Sequence, residues 1–331
     1  MKALPPGWLP LTLFLAAFAC ESAQAETPAA DPAPRYQIVR KWAATPGTPA
    51  YGPTHGGIAV DRDGKIYVST DNVGGIFIFS PSGSSLGTIG AQFAGTMALT
   101  IAAEDGQEYL YGANIRHACV FKMSLDGKPV FVLGAPNLPE LYGNRVGAYK
   151  PTGVAVAPDG SFFVADGFGA NYIHRFTKAG EYVGSFGGPG REPGKFQNCR
   201  GMAIDARSGT PLLLVTDQDN RRLQYFDLQG NFISVAGVDY ARPCSVAIHG
   251  RYAVVAELDG RVTLLNPQNE PVAALGENEN PAEWGNFRLV KQRWRDGVFF
   301  APHAVSFDLA GNIYVSEWST PGRISKLRLL P

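Results

Sequence analysis

The chain has 331 residues, with 29 Lys+Arg against 29 Asp+Glu and a formal net charge of zero, so it carries no long-range field that would draw nucleic acid or an anionic membrane surface. A composition of 45% hydrophobic and 18% charged residues supports a large buried core and excludes a disordered chain. Its 39 glycines and 25 prolines, about a fifth of the residues, predict many turns between short strands and favour an all-β architecture.

Residues 1–25 read as a cleaved signal peptide. Lys2 supplies the positive start, residues 9–20 form a short apolar run, and Ala23-Gln24-Ala25 gives the small-x-small cleavage pattern before Glu26. The run is too short to span a bilayer, so the expected location is exported, periplasmic or secreted. The rival is a lipoprotein attached at Cys20, after Phe18-Ala19. Residues 26–35 are rich in Pro and Ala and read as a linker, and no later segment reads as a membrane span.

From residue 36 to 331 one pattern recurs: an apolar strand, an Asp-Gly-type turn, a strand with an acidic end, then two more strands. Residues 151–187 show it most fully, with TGVAVAPDGSFFVAD, YIHRF, the turn KAG and YVGSFG. Copies start at residues 55, 97, 152, 200, 244 and 303. A four-stranded repeat of roughly 40–50 residues is the signature of a propeller blade. The expected fold is therefore all-β, a six-bladed β-propeller of four-stranded antiparallel blades. The last copy lacks a fourth strand after residues 323–330, and residues 36–42 (YQIVRKW) are expected to supply it and close the ring. Insertions at 136–149 and 277–300 both precede a first strand, which places them on one face of the disc.

In such a ring each first strand lines the central channel, and the six starts are His55, Met97, Thr152, Arg200, Cys244 and His303. Blades five, six and one are neighbours once the ring closes, so Cys244, His303 and His55 form a candidate ligand set for zinc or another divalent metal. The plainer reading is imidazoles hydrogen-bonded to backbone or water. A Cys199–Cys244 disulfide is the competing use of that thiol. The acidic strand ends Asp71, Asp166, Asp217, Glu257 and Glu317 recur too often to be catalytic and are expected to hold turns. His117, His174 and His249 are expected to be partly exposed and unspecialised. The second insertion carries Trp284, Arg288, Lys291, Arg293, Trp294 and Arg295. Of these Trp284, Arg293 and Trp294, together with Arg200, are the ligand-binding candidates for a small anionic, peptide or glycan ligand, or for a protein partner. Arg200, Arg145 and Tyr142 are the catalytic candidates at the channel mouth, and the chain is expected to be a monomer.

The stretches VTDQDNRRLQYFDLQGNFI (215–233) and VADGFGANYIHRFTKAGEYVGSFG (164–187) resemble NHL repeats. Further, KPTGVAVAPDG (150–160), TDQDNRRLQYF (216–226) and APHAVSFDLAGNIYVSE (301–317) are similar to blades of the peptidyl-α-hydroxyglycine amidating lyases, which are six-bladed zinc propellers. The resemblance implies a lyase or hydrolase at the channel mouth. Blade by blade, the family's three zinc histidines fall on Met97, Arg200 and His303 here, its catalytic Tyr on Phe168, its catalytic Arg on Gln218, and the acidic residue after its last zinc His on Ala304. The alternative is a propeller that binds without catalysing.

Overall fold

The chain alternates β-favouring runs with turns that demand left-handed backbone. Between the first two strands of the third blade, for example, Ala157 N–H donates to the Ser161 carbonyl, and the turn passes through Gly160 at φ 83°, a conformation side chains disfavour. The computed structural model describes residue 1 and residues 33–43, 52–143, 145 and 147–331. The leader beyond Met1, the attachment site at Cys20 and most of the linker lie outside the described residues.

Among the described residues, twenty-four strands form six four-stranded antiparallel sheets, within the single unit Ala33–Pro331. The innermost strands are Thr54–Val60, Thr96–Glu104, Gly153–Val156, Cys199–Asp205, Pro243–His249 and Pro302–Phe307, each within one residue of the start expected from the repeat. The sixth blade is completed by Tyr36–Val39, antiparallel to Arg323–Leu329, with Tyr36 opposite Leu329 and Val39 opposite Lys326. That is the ring closure expected from the sequence.

Sheets in this arrangement pack face to face, so the core is divided into layers between neighbouring blades rather than gathered in one centre. Phe163, Ala165 and Ile173 of blade three meet Leu213, Val215 and Phe226 of blade four, and corresponding layers join every other neighbouring pair. The inner strands approach so closely that a Cβ on Gly56 would lie 1.9 Å from the Thr96 carbonyl oxygen, and one on Gly153 would lie 2.0 Å from that of Arg200. Glycine at these points lets the ring close tightly around its channel.

Candidate functional site

Five of the six innermost strands begin with an irregularity in pairing. The register breaks between Thr54 and Ile58, Thr96 and Ala98, Cys199 and Met202, Pro243 and Ser245, and Pro302 and Ala304. His55, Met97, Arg200, Cys244 and His303 are the residues in these bulges, where the extra residue is free to turn from the sheet plane toward the axis. A channel of about 310 Å³ runs between the inner strands, and Met97, Thr152, Arg200, Cys244 and His303 line the end where those strands begin.

Arg200 dominates that end. It is only 4% exposed, and its guanidinium donates to Gln218 Oε1 at 2.6 Å and, in a short contact, to His303 Nε2, while Cys244 Sγ lies 3.7 Å away. Phe168 covers it, with the ring centroid 5.0 Å from Cζ. No carboxylate among the described residues pairs with it, and its Nε and one Nη2 hydrogen have no partner there. Burying an arginine without a counter-ion costs on the order of several kcal/mol, and burial pulls its pKa down while Cys244 and Asp219 push it back up. The side chain nonetheless stays protonated at neutral pH.

This cation fixes the state of the imidazoles. Because Arg200 can only donate, His303 accepts at Nε2 and keeps its proton on Nδ1. Burial, then Arg200, then His55 hold the His303 pKa well below the usual imidazole value. His55, 5.3 Å from His303 between ring centroids, is also lowered, by burial first, with Asp71 opposing and Arg200 reinforcing. Both rings are neutral at pH 7. His55 stacks on Trp318 at 5.1 Å and Trp318 on Phe287 at 4.3 Å, so a column of rings leads from the second insertion down to Arg200.

The acidic strand ends divide into two kinds. Asp166 accepts from the Lys150 and Ala170 N–H groups, Asp217 from Gln197, Glu257 from Ala241, and Glu317 from Phe300 and Ala301. Each thus ties down the segment entering its own blade, the turn-holding role expected for them. Asp71 does not belong to this set. In blade one the position opposite the inner strand's first residue is Thr70, which leaves Asp71 one residue further on, equivalent to Gln218 and Trp318. It faces the mouth, with Oδ2 4.0 Å from His55 Nδ1 and Oδ1 3.7 Å from Arg116. A repeat alignment that counts the acid as the strand end misplaces it by one residue. Trp318 and Phe287 are mouth residues that sequence reasoning missed, and Asp71 is one to which it gave the wrong role; the position one past the second strand is the signal that finds Asp71 and Trp318, whereas Phe287 lies in the second insertion and carries no such signal.

Other candidates lie elsewhere. Tyr142 is buried in blade three, donating to Asp166 Oδ2 at 2.9 Å and 2.5 Å from His174 Nε2; it anchors the first insertion and does not line the channel. Arg145 is exposed, and its guanidinium reaches the Leu141 carbonyl only at a long 3.5 Å. His174, expected to be partly exposed, is fully buried and reaches Ser185 Oγ at 2.6 Å. In the second insertion Glu283 takes both Arg293 at 2.7 Å and Arg295 at 2.5 Å, which engages Arg293, a ligand-binding candidate, within the loop itself. Trp284 donates to the Asn278 carbonyl and Trp294 to that of Leu289. Trp294 also packs with Leu289, Phe300 and Cys244, so it pins the loop.

The residues present do not fit a divalent ion. His55 and His303 are brought together, but Arg200 stands between His303 and Cys244 and occupies the Nε2 lone pair a metal would need. Among the described residues no group of three His, Cys, Asp or Glu is placed to share an ion. The disulfide is not formed either, since Cys119, Cys199 and Cys244 are all free and buried, and burial pushes the Cys244 thiol pKa up. No described helix is long and apolar enough to cross a membrane.

No protein-family model matches the chain. Over 185 residues, 55% of the chain, it is 24% identical to a probable peptidyl-alpha-hydroxyglycine alpha-amidating lyase of Caenorhabditis elegans, covering 50% of that protein. Over 218 residues, 61% of the chain, it is 30% identical to peptidyl-alpha-hydroxyglycine alpha-amidating lyase 1 of Drosophila melanogaster, covering 38% of it. The matches thus span half or less of these curated relatives. A gluconolactonase from Xanthomonas campestris superposes with a TM-score of 0.60 over 91% of this chain and 95% of its own, at 15% identity, a likeness of fold.

Proposed function

We propose that the protein is an exported lyase working at the channel mouth on substrates like those of its hydroxyglycine-lyase relatives, with His55 as proton acceptor and Arg200 as the positive group. The observation that carries this is a neutral, partly accessible imidazole beside a buried guanidinium that has no carboxylate partner among the described residues. For an α-hydroxyglycine peptide the step balances without an oxidant. His55 takes the hydroxyl proton, the C–O bond becomes C=O as the C–N bond breaks, and the proton passes to the departing amide nitrogen. Asp71, 4.0 Å from His55 Nδ1, stabilises the transient imidazolium, and Arg200 offsets negative charge on the substrate. The leader 1–25 supports export.

Incubation with α-hydroxyglycine-extended peptides, after chelation and again with added zinc, tests the reading. Glyoxylate release that survives chelation and is lost in His55→Ala is expected. No release under either condition discards the lyase. A binding propeller is then the second reading, favoured by Phe168 and Gln218, which stand where the resembled family has its catalytic Tyr and Arg.

A further inference from the structure

We infer that the mouth is a metal-independent receptor for a monocarboxylate, with the Arg200 guanidinium as its permanent cation and the Trp318–Phe287 rings as the shelf for the ligand's organic part. The inference rests on the same mouth as the proposed lyase, but it concerns binding alone.

Three observations carry it. First, Arg200 is buried and fully oriented by neutral groups, Gln218 Oε1, His303 Nε2 and the Phe168 ring. A guanidinium held this way keeps its charge available, whereas Arg222 and Arg323, also buried, are matched to Asp217 at 2.8 Å and Glu317 at 3.0 Å. Second, its Nε and a remaining Nη2 hydrogen are unpaired among the described residues, and a guanidinium offers such donors as a planar fork that fits a carboxylate. Third, the surroundings select charge and shape. The neighbouring Arg242 is already taken by Asp259 at 2.5 Å and Arg116 by Asp71 at 3.7 Å. Of these three guanidinium groups Arg200 alone has no carboxylate bonded to it among the described residues, and Asp71 and Asp219 nearby repel a second negative charge. A phosphate dianion is disfavoured on that count. Beside the cation, Phe287, Trp318 and His55 are half-buried and stacked on one another, so the column offers its apolar ring edges to an aromatic or acyl group.

Isothermal titration of the purified full chain with phenylacetate, phenylacetamide and phenyl phosphate, each before and after treatment with chelator, tests this directly. Phenylacetate is expected to bind at least about tenfold more tightly than either analogue, with no change on chelation. Trp318→Ala should weaken phenylacetate while leaving the far-ultraviolet dichroism unchanged, and Arg200→Met should remove the preference for acid over amide. Equal binding of acid and amide, preference for the phosphate, loss on chelation, or no binding of any of the three overturns the inference. Since the wild type alone distinguishes these outcomes, a misfolded Arg200 variant does not blunt the test. Carboxylate binding without glyoxylate release would sink only the lyase. Glyoxylate release with no preference for the carboxylate would sink only this inference.

Discussion

A guanidinium and a divalent ion compete for the same ground at the mouth, because both need the Nε2 lone pair of His303. Arg200 wins by being covalently present and permanently charged, and a dication beside it would meet repulsion of several kcal/mol in a site shielded from water, roughly what two charges feel at an effective dielectric near 20. The substitution should be reversible. Met97, Arg200 and His303 sit on blades two, four and six, alternate positions around the axis, so Met97→His with Arg200→His places three imidazoles about one centre. Elemental analysis after gel filtration is expected to show one zinc per chain in the double variant and none in the wild type; stoichiometric zinc in the wild type would refute this account of the site. The channel-facing residues were legible in the sequence, since the repeat starts coincide with the bulged residues. Their contacts were not. Arg200 and His303 lie 103 residues apart, and only the width of the closed ring decides whether they touch. Asp71 was misread for a local reason, a one-residue offset in blade one that a period-two strand turns into a change of direction.

Strands and loops show a second limit of the same kind. That residues 277–300 form an insertion could be read from the spacing, but not that Glu283, 4% exposed, would gather Arg293, Arg295 and Asn278. A lone acid in a basic stretch carries no pattern. Glu283→Gln should leave both guanidinium groups unbalanced and loosen the loop, seen as faster amide exchange across 278–298; unchanged exchange would show that the Trp anchors suffice. In blade three, Tyr142, His174 and Ser185 form a buried chain from the first insertion to the outer strand. His174 has its pKa lowered to about 4 by burial. The unfolded chain therefore takes up the proton first as pH falls, so the stability this histidine contributes is complete above about 6.5 and is lost between there and 4. The loss from His174 alone is on the order of 3 kcal/mol, and His55 and His303 add to it in the same direction. Urea denaturation at pH 7 and pH 4.5 should show a lower midpoint in acid, with a smaller difference in His174→Gln. An equal difference in that variant would exclude His174 as a source.

At the scale of the whole molecule, stability is divided among six interfaces in a closed circle, and the blade that closes the circle joins the two ends of the described propeller. Tyr36–Val39 completes blade six against Arg323–Leu329, and Ile38 and Val39 reach into the layers on both sides of that blade. Just beyond, Trp42 crosses to blade one. It is 5% exposed, packs on Tyr314 of blade six and Phe79 of blade one, and donates from Nε1 to the Pro81 carbonyl at 3.1 Å. One strand and one side chain therefore seal a junction that would otherwise leave Arg323–Leu329 as an unpaired edge. The sequence made the pairing legible, because residues 36–42 look like an outer strand without a blade. It did not show Trp42 as the bolt, since a tryptophan after a short strand has no periodic signature. Trp42→Ala should cost about 3–5 kcal/mol as a cavity in a packed core, while deletion through residue 43 should also create a sticky edge. The deleted chain is expected to unfold at lower denaturant and to self-associate at rising concentration in analytical ultracentrifugation. A synthetic peptide covering 34–43 should suppress the association by pairing with the open strand. If the deleted chain stays monomeric and as stable as the intact one, the ring does not depend on this closure, and the first and last blades must hold each other by their side-chain layers alone.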